Sequence, residues 1–524
     1  MRYLPILAVS LAGTTHLHAD YFDDTGYRKL AAKLGSSLPT GAGVSVSQIE
    51  YGDPDYLPQA GTGTFAGSGL LAGKTLSAKS GSSAVSGHAS AVASHFYSLN
   101  TNPTAGRASF SPAISTIDVY RMDATGSTSS WAYEGWLEPG PNLEPLIESR
   151  MIQNHSWISI GTASDAVDDN AALRRFDFAI RRDGFLAVTG VNNGISAVPS
   201  LMASAYNNLS VGVSSGAHST DGVSTWLDGP GRQKPEIVAP LDATSFATGL
   251  VSSAAAFLRQ TASAQGNPNA IRPETLKAIL LAGATKEKFP FWSRSATLPL
   301  DGTFGAGEVN IDNSWHILAG LEQAANLTTA RPAFAWSRVT LTTVSTADYL
   351  LTIPPGSTGI AFSAIATWNR VINDSGPGKI LNMTVAPLAN YQLALSRIPL
   401  NGSPVTVDQS TSAIENLEHL YQRNLPSGTY QLRLSLASGS NVPASIAWRL
   451  TTVPHRPSPA ISRSGMTDSL TFSGLLSGQS YLIQSSSDLT SWSTAQAFTA
   501  TGPTFSWSTT ESAARKFYRL TATD

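Results

Sequence analysis

The feature that most constrains this chain is a change of pattern near residue 330. From about residue 40 to 320, short apolar runs alternate with alanine-rich helical stretches; beyond it, helical periodicity nearly vanishes and period-two runs follow one another. Strands interleaved with helices predict an α/β domain with a mostly parallel sheet. Residues 44–49, 184–188 and 209–213 are its expected strands, and 27–34, 89–97, 246–259 and 273–281 its expected helices. Pro273 falls at a helical first turn, where its missing N–H costs nothing. In the second part, runs such as 430–436 are separated by turns such as Pro426-Ser427-Gly428, which predicts an antiparallel β-sandwich. The proline-rich stretch 454–459 reads as an extended linker before a last set of alternating strands. The expected layout is a leader at 1–19, an α/β domain at 20–328, a β-sandwich at 329–455 and a small β domain at 456–524.

The leader is read from Met1-Arg2, the apolar run 4–13 and Leu17-His18-Ala19 before the acidic Asp20. That order of charge, apolar run and small residue predicts a secretory signal peptide cut after Ala19; the other reading is a short apolar first strand or helix. No later stretch has the 18 or more uninterrupted apolar residues of a membrane-spanning helix, so no membrane insertion is expected. Charged residues make up 13% of the 524, and 34 basic against 36 acidic side chains leave a formal charge of −2. Such a surface offers no field for nucleic acid. The chain has no cysteine, which excludes disulfides, thiolate metal sites and cysteine nucleophiles. No cluster of Asp, Asn and Gly has calcium-loop spacing, and no metal or cofactor is expected.

Two short segments carry chemistry. Ser245, in Ala243-Thr244-Ser245-Phe246-Ala247, precedes an alanine-rich helical run, so its hydroxyl and its own backbone N–H stand at a helix start, favourable for a developing oxyanion. Taken alone, a serine in that place is most often an N-cap. His88 is followed by Ala89-Ser90-Ala91-Val92-Ala93-Ser94, small side chains that let a helix run close to its neighbours and hold an imidazole rigidly. Taken alone, such a histidine is most often a packed or capping group. His95, two turns further on, reads as a surface neighbour.

In combination and in order, these segments resemble the subtilisin-like serine peptidases. Residues 88–94 resemble that family's His-Gly-Thr-His-Val-Ala-Gly motif, and residues 243–247 its Gly-Thr-Ser-Met-Ala motif. The strand ending at Glu50 is similar to the family's strand ending in Asp-Thr-Gly, 188–194 to the segment bearing its oxyanion asparagine, 153–157 to its substrate-binding strand and 304–310 to its closing turn. The order acid, histidine, serine is the subtilisin order. The resemblance, which spans residues 40 to 320, implies a subtilisin-like parallel-sheet peptidase domain with Ser245 as nucleophile, His88 as general base, Glu50 as the orienting acid and Asn192 as oxyanion donor. It also implies substrate contacts from Ser156, Trp157, Ile158 and Val191 and a polypeptide substrate. Ile158 and Val191 stand where the family's first-subsite walls are usually glycine, so a narrowed pocket for small or slender side chains is expected.

The departures from the family pattern are specific. Ala243 replaces a glycine, Gly249 a proline and Ala91 a second histidine, and the interval from Pro240 to Ser245 is short. Glu50 stands where the family has aspartate, one methylene longer, with Asp53 and Asp55 as alternative acids if the strand register differs. Sedolisin-type peptidases use glutamate too, but with a further aspartate and a different serine motif. Residues 412–419 with 425–430 resemble accessory β-sandwiches of bacterial exported subtilases, 368–370 being similar to an early strand of that sandwich, and 481–492 with 517–519 resemble a C-terminal repeat domain of bacterial exported proteins. A secreted, periplasmic or cell-surface serine endopeptidase is therefore expected. The rival reading is a catalytically silent subtilase fold that serves as a surface-binding scaffold, which the eroded motifs allow.

Overall fold

The computed structural model describes residues 20–523 apart from 53–54, 60–62, 65–68, 123–130, 138–143, 160, 196–199, 221, 374–382, 455–456 and 511–515. The expected signal peptide and Asp53 lie outside the described residues.

The first part is built on one sheet. Its strands are β1 (Ser45–Glu50), β2 (Gly63–Thr64), β3 (Thr75–Ala78), β4 (Thr116–Arg121), β5 (Ile152–His155), β6 (Leu186–Gly190), β7 (Leu209–Val213) and β8 (Ile237–Ala239), in the order β2-β3-β4-β1-β5-β6-β7-β8. All neighbours pair parallel except β2, which adds antiparallel to β3 at one edge. Every residue of β5, β6 and β7 is buried, as expected of parallel strands covered on both faces. The class is the one predicted, a parallel-sheet α/β domain followed by all-β units.

Seven α-helices accompany the sheet among the described residues: α1 (Tyr21–Asp24), α2 (Tyr27–Leu34), α3 (Gly87–Phe96), α4 (Ala166–Asp183), α5 (Thr244–Ala264), α6 (Pro273–Gly283) and α7 (Ile311–Ala319). None of the described helices is long and apolar enough to cross a membrane. Helix α5 is almost wholly interior, and Gly249 explains how it sits so close to α3: a Cβ there would lie 3.0 Å from the Val92 carbonyl oxygen. The family-pattern departure at Gly249 thus has a packing cause. The strand expected from residue 184 begins two residues later, because Gly184 ends α4 in the left-handed conformation at φ 73°. Residues 304–310 lie along the β8 edge, with Ala306 N–H donating to Glu236 O at 2.8 Å and Val309 N–H to Val238 O at 2.9 Å.

The strands 334–340, 443–454, 357–368 and 417–422 form one antiparallel sheet in that order, and 405–410, 390–398, 428–438, 346–353 and 326–330 the facing one, antiparallel except for 326–330, which pairs parallel with 346–353. Their inner faces enclose Tyr349, Trp368, Tyr391 and Trp448. Two three-stranded sheets follow over 458–523, around Leu470, Phe472, Tyr481 and Ile483. The sandwich is bound into the α/β domain: Trp336, Ile365, Leu417 and Ala447 join the α/β core, and Arg449 donates to the carbonyls of Ala282 and Ala284 at the end of α6. The last unit is held to the sandwich by Gln479, whose Oε1 accepts the Ser427 N–H at 2.9 Å and hydroxyl at 2.8 Å, and by Arg397 on Gly478 O.

Candidate active site

Strand β1 lies inside the sheet, and the chain proceeds from it first to one side (β3, β4) and then to the other (β5 to β8). Such a switch point leaves a crevice at the carboxyl ends of the strands, where α/β proteins bind ligands. Glu50 is the last residue of β1, Ser156 follows β5, and Asn192 follows β6. Helices α3 and α5 bring His88 and Ser245 in their first turns.

Glu50 is completely buried, and both its oxygens are engaged. Oε2 accepts the His88 Nδ1–H at 2.8 Å, and Oε1 accepts the Gln48 Nε2–H at 2.8 Å. Because a carboxylate is acceptor only, the first bond puts the proton on Nδ1 and leaves Nε2 as the free lone pair of the neutral ring. Gln48 also donates to Ala89 O at 3.0 Å, so one amide ties the acid to the first turn of α3, and its Oε1 accepts from the Tyr97 hydroxyl. Gln48 and Glu50 share a strand face by the two-residue period. The alternation was visible in the sequence, but neither Gln48 nor Tyr97 was foreseen as a partner of the acid. Asp55 is engaged elsewhere, accepting from Ala84 N–H at 3.1 Å.

His88 is the second residue of α3, whose N-cap Ser86 accepts the Ala89 N–H at 3.2 Å. Its side chain keeps 43% of its surface exposed against 1% for Glu50, so an open imidazole rests on a closed carboxylate. Desolvation pulls the imidazole pKa down, but the charge and hydrogen bond of Glu50 push it up by more, and it stands above its ordinary value.

Ser245 lies within the first turn of α5, which begins two residues earlier than expected; the N-cap is Ala243, so Ser245 is not the cap itself. Its N–H is among the first four of the helix, which have no partner one turn back. Its carbonyl accepts from Ser156 Oγ at 2.9 Å, and Asn154 Nδ2 donates to that Oγ at 3.0 Å while its Oδ1 accepts from Ser252 Oγ at 2.9 Å. The end of β5 is thereby stitched to α5. The Phe246 ring stands 6.4 Å from the His88 ring and 5.5 Å from that of His95, with the Arg107 guanidinium 4.9 Å above it. His95, expected at the surface, is only 3% exposed, because α5 covers its side of α3.

Asn192 is buried beside this helix start. Its N–H donates to Ser219 Oγ at 3.1 Å, and its carbonyl accepts the Ser219 N–H at 3.0 Å. The next residue, Asn193, was not foreseen: its Oδ1 accepts both the Thr244 N–H at 2.8 Å and the Thr244 hydroxyl at 3.0 Å. The sequence signal was an N-cap position, Ala243, with no side-chain acceptor of its own.

Among the expected substrate contacts, Ser156 is buried against α5, Val191 is fully interior, and Ile158 is half-buried. The Trp157 ring faces the interior, where its N–H donates to His155 Nδ1 at 3.2 Å and its edge meets Trp131. Burial holds the His155 pKa down at about 3, so this neighbour of Ser156 is a neutral structural group.

No protein-family model matches the chain, and no curated protein matches it. Among solved structures the chain is similar to the prenylagaramide maturation protease PagA, at 19% identity over 55% of this chain and 97% of that one, with a TM-score of 0.37. The PatG macrocyclase domain is similar at 16% identity over 58% and 99%, TM-score 0.38. Pseudomonas sedolisin, a serine-carboxyl proteinase, is similar at 15% identity over 59% and 99%, TM-score 0.36.

Proposed function

We propose that the chain is a serine endopeptidase working through an acyl-enzyme, with Ser245 as nucleophile, His88 as general base and acid, and Glu50 as the acid that orients it. The observation that carries this reading is the His88 Nδ1–H bond to a completely buried carboxylate at the start of a helix packed on the nucleophile's own. That bond fixes the tautomer with Nε2 free and stabilises the imidazolium that forms when a proton arrives. His88 Nε2 takes the Ser245 hydroxyl proton as Oγ bonds to a peptide carbonyl carbon. The carbonyl oxygen becomes an oxyanion facing the Ser245 N–H and the Asn192 side chain. Its collapse breaks the C–N bond, and the leaving amine takes the proton from His88. Water then attacks the acyl carbon, giving a proton to His88, which returns it to Ser245 as the ester breaks.

Glutamate reaches one methylene further than aspartate, and Gln48 supports this reading by holding its second oxygen, which keeps the longer side chain from swinging. The side chain of Ile158 supports a first subsite suited to small or slender residues. Export through a signal peptide cut after Ala19 belongs to the same proposal; N-terminal sequencing of protein recovered outside the cytoplasm should begin at Asp20. The function is tested by hydrolysis of casein and of a P1-varied peptide library. The purified chain should cleave internal peptide bonds after small residues, and Ser245→Ala should not. Equal hydrolysis by the two proteins would overturn the assignment, and best cleavage after large aromatics would overturn the subsite.

A further inference from the structure

Helix α5 lacks an N-cap of its own: Ala243 offers no acceptor, although the amides of the first turn need one. The acceptor comes from 51 positions earlier in the chain, as Asn193 Oδ1 receives both donors of Thr244. The loop that carries Asn193 is itself tightly held. Its other side pairs with the 217–219 segment through Gly194 N–H to Ala217 O at 3.1 Å, Ser219 N–H to Asn192 O at 3.0 Å and Asn192 N–H to Ser219 Oγ at 3.1 Å. At its root, Gly190 lets β6 press on the helix, since a Cβ there would stand 2.9 Å from Thr248 Oγ1. The span from Gly190 to Asn193 thus meets the helix at both ends, with Asn192 between the two contacts.

We infer that Asn193 is a positioning residue that sets the separation between the Asn192 side chain and Ser245, by capping the nucleophile's helix from the oxyanion loop. This inference rests on the proposed peptidase reading. An oxyanion donor acts only when aimed at the place where charge develops, and Thr244, which Asn193 grips, is the residue directly before the nucleophile. Asn193 itself is exposed, a position at which a side chain without such a role tolerates replacement.

The test is a double-mutant cycle on the full chain, comparing Asn193→Ala, Asn192→Ala and the double variant by kcat and KM, with hydrogen exchange at the Thr244 amide as a second readout. Asn193→Ala should lower kcat on the order of 10- to 100-fold with KM unchanged, as a misplaced catalytic group does. In the Asn192→Ala background the same change should cost less than about threefold, because the group it positions is already gone. The Thr244 amide should exchange faster in Asn193→Ala than in wild type. Unchanged exchange would show the tie absent, and faster exchange with multiplicative kinetic losses would make Asn193 a cap alone; either result overturns the inference while leaving an active peptidase. A wild type that cleaves nothing overturns the functional reading and this inference with it.

Discussion

Glu50 and His88 are joined side chain to side chain, whereas Ser245 and Asn192 are placed by backbone and by the side chains of neighbours. In the first pair a buried carboxylate holds the imidazole directly, and Gln48 and Tyr97 hold the carboxylate. In the second, Ser156 grips the Ser245 carbonyl, Ser219 grips the Asn192 backbone, and Asn193 ties the two segments. The difference teaches where the site is fragile. On the proposed reading, the half that holds His88 and Glu50 is sensitive to the chemistry of two side chains, and the half that holds Ser245 and Asn192 to the relative placement of β5, β6 and α5.

The comparison can be broken or sharpened by substitution, and the largest effect belongs to the nucleophile half. Ser245→Ala should lower kcat on the order of 10⁶-fold, with the thermal midpoint little changed. Glu50→Gln should cost about 10⁴-fold, since an amide at that place can stabilise the wrong tautomer and no longer favours the imidazolium. Asp53→Asn and Asp55→Asn should stay near wild type; a collapse of turnover in either one would move the third role away from Glu50. Asn192→Ala should lose about 10²–10³-fold in kcat, read from steady-state rates on one peptide.

The pH profile separates the halves most finely. His88 must be neutral to take a proton, and its pKa stands above the ordinary value, so the acid limb of kcat/KM should fall at a pH above about 6.5. Removing the Glu50 charge removes what raises that pKa and leaves the desolvation that lowers it. The residual activity of Glu50→Gln should therefore have its acid limb at lower pH, while Asn192→Ala should leave the limb where it was. A limb that moves equally in both variants would erase the distinction drawn between the halves.

Much of this arrangement is legible in the sequence, and the parts that are not share a cause. The helices at 27–34 and 273–281 and the strand at 209–213 follow local periodicity and come within two residues of their observed bounds. Helix α4 escaped because buried Arg175 and Asp177 interrupt an apolar spacing otherwise carried by Ala172, Leu173, Phe176, Ala179 and Ile180. Asp177 is satisfied far away, by the Tyr206 and Asn207 amides, which no local pattern discloses. The same holds in the site. Ser245, His88 and Glu50 can be picked out by motif and order, and Gln48 lies only two positions from Glu50 on the same strand face, but Tyr97 and Asn193 act across 49 and 51 positions on partners that only the fold brings near. His95 shows the reverse error: its position on α3 could be read, but α5, which buries it, could not.

Reaction with a fluorophosphonate tests the central claim most directly, because it requires an activated serine and no knowledge of the substrate. The account predicts one label per chain, mapped by mass spectrometry to Ser245, abolished in Ser245→Ala and strongly slowed in His88→Ala. A well-folded chain that takes no label, or takes it at another serine, would contradict it.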